Sequence, residues 1–317
     1  MTKTINITDL QLDQKIKSEP FSLKQFEKKI SKNGKFYYNL LIGDKTGEMR
    51  GKLWSEASVN SDLDLKTGDI VAITGYVQEY AGKPQMIVDD IQKVSDMAPE
   101  EFLPVTLRDR SQMQQDLESA MESVNNPHLK SLINKFWEDK SWRDQYLNFP
   151  AGMYVHHGYV GGLLEHVWEM WQLSQPFMQI YPQMDKDLFF TGLLFHDVGK
   201  LDELDIVGAT IVMTKEGTLN GHITQGVLIL ERLIVQIPDF PQELKTKLFH
   251  LILSHQGQLE YGSPVKPMMI EAIVLSMVDA NGADMNQATK HMLKQADSED
   301  DFTDYHKWLG RTLYIGN

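Results

Sequence analysis

A chain of 317 residues with 42% hydrophobic and 24% charged side chains has the composition of a globular protein, long enough for one sizeable domain and a smaller one. It contains no cysteine, which excludes disulfides, thiolate ligands and cysteine nucleophiles together, so any metal centre must be built from His, Asp and Glu. The net charge of −13 argues against a protein that coats nucleic acid over its whole surface.

The charge is unevenly spread. Residues 24–52 hold eight basic and three acidic side chains, whereas the acidity gathers beyond residue 93, where DSEDDFTD at 297–304 reads as a solvated face. No run approaches the ~18 consecutive apolar residues of a membrane span, and the start, MTKTINITDLQLDQK, lacks a secretory pattern. A cytoplasmic protein with no membrane partner is expected.

From Phe21 to Val94 the chain reads as short strands. KFYYNLLIGD and GEMRGKLWS flank a turn at Asp44–Gly47, and GDIVAITGYVQEY and KPQMIVDDIQKV flank Ala81-Gly82. Five or so strands in this space predict a small β-barrel over residues 1–98, and the spacing resembles an OB-fold. A linker follows at 99–115, marked by Pro99 and Pro104. Beyond it strand signals fade into helical periodicity. Leu117, Met121 and Val124 form one stripe, and Leu129, Leu132, Ile133 and Phe136 the next. Further helices are predicted near 162–175, 187–198, 222–236, 242–255 and 267–285. The expected architecture is therefore multi-domain: an N-terminal all-β barrel, then an all-α bundle over residues 116–317.

Within that bundle, His166, His196, His222 and His255 fall at or near predicted helix ends, with Asp197 beside His196 and Asp279 on an otherwise apolar helix side. A carboxylate in such a stripe is costly unless paired or metal-bound. Each residue alone has an ordinary structural explanation. In order, H…HD…H…H…D with gaps of 30, 26, 33 and 24 residues, they place one ligand on each successive helix, the way a bundle aims side chains at an internal metal centre.

This order resembles the HD-domain superfamily of metal-dependent phosphohydrolases. The resemblance implies one ion held by His166, His196, Asp197 and Asp279, and a second held by His222 and His255 with Asp197 bridging. Lys200 extends the match to the HDxGK form, which implies a charge partner for phosphate oxygens. An all His/Asp set suits Mn²⁺, with Co²⁺, Ni²⁺ or Fe²⁺ as alternatives. HHGYVGGLLEHV at 156–167, FHDVGK at 195–200 and the barrel together resemble the YhaM-type 3′-5′ exoribonucleases of Gram-positive bacteria, over nearly the full chain. That family reading implies His157, and less directly His156, near the substrate phosphate, and Glu165 behind the ligands.

OB barrels grip single strands with basic groups on the backbone and aromatics under the bases. Lys32, Lys35, Arg50, Lys52 and Lys83 are candidates for the first role, and Phe36, Tyr38, Trp54 and Tyr80 for the second, although strand alternation must bury about half of these aromatics. The expectation is a two-metal exonuclease that shortens single-stranded RNA, with single-stranded DNA as a further substrate, to nucleoside 5′-monophosphates. A phosphohydrolase of cyclic dinucleotides or other nucleotides is the rival enzyme, and a non-catalytic nucleic-acid-binding protein the rival of another class. The methionine-rich VKPMMIEAIVLSMV at 265–278 reads equally as core or as the interface of a homo-oligomer.

Overall fold

The computed structural model describes residues 2–31, 33–54, 64–98, 101–153, 157–296, 298 and 300–316. The chain divides into two compact units, one of Met1–Val105 with Asp205–Val212, the other of Thr106–Leu204 with Met213–Asn317.

The first unit is a closed barrel in the order β1-β2-β3-β5-β4, formed by β1 (Lys15–Ile30), β2 (Phe36–Asp44), β3 (Gly47–Trp54), β4 (Ile70–Tyr80) and β5 (Lys83–Val94). Neighbours pair antiparallel except β3 and β5, whose parallel pairing at Gly51–Leu53 closes the barrel. The alternation of β2 and β3 decides what faces inward: Tyr38, Leu40, Ile42, Met49 and Leu53 join Phe21, Leu23, Ile73, Val77 and Met86 in the core. At the β2–β3 turn, the Asp44 carboxylate accepts from the Thr46 amide at 2.8 Å. Between β4 and β5, Ala81 and Gly82 both take positive φ, at 53° and 74°, the requirement of a two-residue hairpin turn.

A two-stranded hairpin, β6 (Leu204–Val207) and β7 (Thr210–Met213), adds strand structure where only helices were expected. Its strands are too short for a periodic signal, although Ile206, Val207, Thr210, Ile211 and Val212 around Gly208 carry the β-branched enrichment of a hairpin. It groups with the barrel residues, and Ala209 donates to the Gly68 carbonyl at 3.1 Å.

The second unit is helical. It comprises α1 (Arg110–Glu122), α2 (Pro127–Glu138), α3 (Lys140–Asn148), α4 (Gly162–Ile180), α5 (Lys186–Phe195), α6 (Lys200–Glu203), α7 (Lys215–Ile234), α8 (Gln242–Ser254) and α9 (Ile270–Leu293). Asp109, Asn126, Asp139 and Asp185 cap α1, α2, α3 and α5 by accepting from first-turn amides. Residues 188–195 of α5 are buried on every side, so α5 is the hub, packed on α2, α4, α8 and α9. Burying each of Phe189, Leu193 and Phe195 is worth roughly 1.5–3 kcal/mol, which anchors the end of α5 where the His-Asp pair begins. Among the described residues no helix is long and apolar enough to cross a membrane.

Candidate functional site

All six residues expected as ligands come together at the C-terminal end of α5. His196 caps that helix and Asp197 follows it; His166 comes from the first turns of α4, His222 from a break in α7, His255 from the end of α8 and Asp279 from the middle of α9. Asp197 is the centre. Its Oδ2 lies 3.7 Å from His166 Nε2 and 3.5 Å from His196 Nε2, while its Oδ1 lies 3.5 Å from His222 Nε2 and 3.6 Å from His255 Nε2. His166 and His196 bring their Nε2 atoms within 3.2 Å of each other, and Asp279 Oδ1 stands beside this trio, 3.3 Å from His166 Nε2. One carboxylate thus presents a different oxygen to each of two histidine pairs, and each trio could hold a metal ion.

The imidazoles are aimed by the backbone. His196 Nδ1 donates to the Leu193 carbonyl at 2.8 Å and His255 Nδ1 to the Ile252 carbonyl at 2.7 Å, each reaching back three residues at a helix end. With Nδ1 committed to its carbonyl, Nε2 of each ring faces the centre, where its lone pair serves a metal once the ring is neutral; against burial, the neighbouring Asp197 holds the His196 pKa above its ordinary range. The result is a buried convergence of acceptors, including Asp197 Oδ1 and His222 Nε2, which find no hydrogen-bond partner among the described residues. Facing acceptors repel unless a cation lies between them, and oxygen and imidazole donors in this number are those that divalent transition ions take. The donor set therefore fits a metal.

The electrostatics agree. Burial opposes charge on Asp197, but the Lys200 ammonium and the imidazoles of His196 and His222 outweigh it and hold the carboxyl well below its ordinary range. Asp279 is likewise held low against burial by its contact with His166. Burial, reinforced by His196, pushes His255 down to about 4, which keeps that ring neutral. Lys200 Nζ stands 3.6 Å from Asp197 Oδ2 with its side chain almost fully buried, poised beside the ligands.

Two glycines make the geometry attainable. A Cβ at Gly199 would lie 2.5 Å from the Gly226 nitrogen and 2.8 Å from the His222 carbonyl carbon, so the glycine of HDVGK lets α7 cross against the α5–α6 corner. A Cβ at Gly162 would lie 2.9 Å from the His157 carbonyl carbon, which explains the second glycine ahead of His166.

His157 has a different setting from the one expected. It is wholly buried, its ring centroid 5.1 Å from that of His166 and its Nε2 3.0 Å from a Glu169 oxygen. Burial holds its pKa below the ordinary range, and the neutral ring donates Nε2–H to Glu169. Arg108 joins Glu169 at 2.8 Å to Glu165 at 3.2 Å, and Thr106 donates to Glu165. His157, Glu165 and Glu169 are close enough to suggest a further ion site, and there the Arg108 guanidinium pairs with both carboxylates, offsetting one of their two charges. The group is a buttress for the helix that carries His166. His156 and Lys32 lie outside the described residues. Glu203, which receives two hydrogen bonds from His222, was missed; its only sequence signal was its place three residues after Lys200.

On the barrel, strand parity corrects the aromatic assignments. Tyr38 is buried and stacked on Phe26 at 4.5 Å, so it offers no free face to a base, whereas Phe36 is half-buried against the same core with Lys28 Nζ 4.5 Å from its ring centroid. The residue between them, Tyr37, points the other way and pairs across strands with Trp54, their rings 5.2 Å apart. Lys52 Nζ sits 5.2 Å from the Tyr37 ring, 5.3 Å from Trp54 and 5.2 Å from Tyr80. Trp54 and Tyr80 are exposed, as are Lys35, Arg50 and Lys83. Tyr37, Lys52, Trp54 and Tyr80 form one aromatic and basic patch of the kind that stacks bases and tracks phosphates.

A five-stranded barrel bearing such a patch, joined to a helical unit with an HD-type metal centre, defines a nucleic-acid-binding, metal-dependent phosphohydrolase by class. Residues 24–94 match the OB-fold nucleic acid binding domain family, and residues 163–283 match the HD domain family. The 3′-5′ exoribonuclease YhaM of Bacillus subtilis is 32% identical over 267 residues, covering 83% of each chain. That of Oceanobacillus iheyensis is 30% identical over 275 residues, covering 86% of this chain and 85% of the relative. That of Listeria innocua is 30% identical over 271 residues, covering 84% of this chain and 85% of the relative. The chain belongs to the YhaM 3′-5′ exoribonuclease family.

Proposed function

We propose that this protein is a metal-dependent 3′-5′ exonuclease that trims single-stranded RNA, and single-stranded DNA as a further substrate, to nucleoside 5′-monophosphates. The observation that carries the reading is the division of Asp197 between two sets of candidate ligands, His166 and His196 at Oδ2, with Asp279 reaching the same side through His166, and His222 and His255 at Oδ1. Such a pair of sites supplies, when loaded with divalent ions, a lowered water pKa and compensation of charge on both the attacking and leaving oxygens of an in-line displacement. Mn²⁺ suits the donors best, with Co²⁺, Ni²⁺ or Fe²⁺ acceptable.

The chain's own residues do the rest. Nδ1–H bonds to backbone carbonyls keep His196 and His255 from turning away, and Lys200 holds its ammonium where equatorial phosphate oxygens need a counter-charge. On the barrel, Tyr37, Trp54 and Tyr80 stack unpaired bases while Lys52 meets the backbone, so a flexible strand is retained between cleavage events.

The test is a gel time course with 5′-labelled single-stranded RNA beside duplex RNA and a cyclic dinucleotide, each with EDTA and then with Mn²⁺. A metal-dependent ladder shrinking by single nucleotides from the 3′ end supports the proposal. Inert RNA beside a hydrolysed cyclic dinucleotide would move the protein to small-molecule phosphohydrolysis.

A further inference from the structure

The three terminal-ring ligands other than His166 are not oriented alike. His196 and His255 each end a helix and find a carbonyl three residues back. His222 lies on the other side of a helix break, immediately after Gly221, whose φ of 69° and ψ of 158° interrupt α7. A residue that opens a helical segment has no preceding carbonyl in reach of its ring, and its amide loses the usual helical acceptor. Glu203 fills both vacancies: its Oε1 accepts from the His222 amide at 2.9 Å and from His222 Nδ1 at 3.1 Å.

Glu203 is itself fixed. It is buried at the end of α6, its carbonyl accepts from the Thr214 amide at 2.9 Å, and Gly217 approaches so closely that a Cβ there would lie 2.7 Å from the Glu203 Cα. A carboxylate can only accept, so it obliges His222 to carry its proton on Nδ1 and turns the Nε2 lone pair toward Asp197 Oδ1, 3.5 Å away. It also adds charge where charge is scarce. On the Oδ2 side Asp279 stands 3.3 Å from His166 as a second carboxylate, whereas among the described residues the Oδ1 cluster consists of His222, His255 and the shared Asp197.

We propose that Glu203 is the positioning residue of the second metal site: it selects the His222 tautomer, holds the ring on line, and supplies the negative charge that makes the site bind a divalent ion. The inference rests on the two-ion reading above. A carboxylate behind a ligating imidazole raises its basicity, and losing such a partner costs about 10- to 100-fold in metal affinity.

The experiment is Mn²⁺ titration of the metal-stripped full chain by calorimetry, with elemental analysis after gel filtration, for wild type, Glu203→Ala and Glu203→Gln. Glutamine keeps an acceptor for Nδ1–H and removes the charge, and it guards against an alanine variant that fails to fold, checked by circular dichroism. The expected result is two ions on wild type, one retained at unchanged affinity on both variants, and the second weakened about 10- to 100-fold by alanine and by less with glutamine. Imidazole ¹⁵N shifts of His222 should report a single Nδ1–H tautomer in wild type and a mixture in Glu203→Ala. Two ions at wild-type affinity on both variants would overturn the role of Glu203 while leaving the two-ion reading intact. A single ion on wild type would overturn the two-ion reading and the inference with it.

Discussion

Gly199→Ala tests whether the crossing of α7 over the α5–α6 corner sets the metal centre. Gly199 has ordinary helical backbone angles, φ −65° and ψ −15°, so alanine meets no conformational objection and the whole effect is one of space. The added Cβ would stand 2.5 Å from Gly226 nitrogen where ordinary contact begins at 3.4 Å, so α7 must retreat by about 0.9 Å or more. The crowded atoms are backbone, which cannot rotate aside. Overpacking of this kind costs about 1–3 kcal/mol. For a unit of this size that is a fall of roughly 5 °C in melting temperature. Because the other crowded atoms belong to His222, the retreat carries that ligand with it, and a displacement of ~1 Å at a reacting centre costs on the order of 100-fold in rate. Thermal melts and single-turnover cleavage of a 5′-labelled RNA measure the two effects. A variant with wild-type melting temperature and full rate would refute the reasoning, since it would mean that α7 gives way without moving His222.

Asp197→Asn keeps the volume of the central carboxylate and removes its charge; cleavage should vanish and strand binding by filter assay should not change, because the barrel patch is built from other residues. EDTA should stop cleavage and added Mn²⁺ restore it, measured on the same gel, as the all His/Asp donor set requires. Trp54→Ala and Tyr37→Ala should each weaken binding of single-stranded RNA by about 1–3 kcal/mol in fluorescence anisotropy, while Tyr38→Ala should instead lower the stability of the barrel. Lys52→Ala should flatten the salt dependence of binding by about one unit of slope, read from a titration in KCl.

The parts of the fold that could be read from the chain are those where spacing repeats. The β2 and β3 alternation and the stripes of α1 and α2 are periodic over many residues, and the six candidate ligands stand out because His and Asp at successive helix ends are chemically conspicuous. Tyr37 and Tyr38 show the limit. Adjacent tyrosines are indistinguishable by type, and only the register of β2 against β3 decides which one faces out. His157 and Glu203 show another: their roles depend on Glu169 and His222, partners 12 and 19 residues away, and nothing in linear spacing announces a hydrogen bond across a helix packing or a loop. The hairpin at 204–213 escaped because four-residue strands are shorter than any reliable period.

The carbonyl contacts behind His196 and His255 carry a consequence for how the protein folds. Those contacts are completed by the fold alone, and the apolar hub around α5 supplies the stability that small metal-dependent folds must take from their ion. On that reasoning, assembly of the polypeptide need not await loading of its centre. A chain stripped of metal should accordingly keep its helical signal, and circular dichroism with and without EDTA would show whether folding waits for the ion.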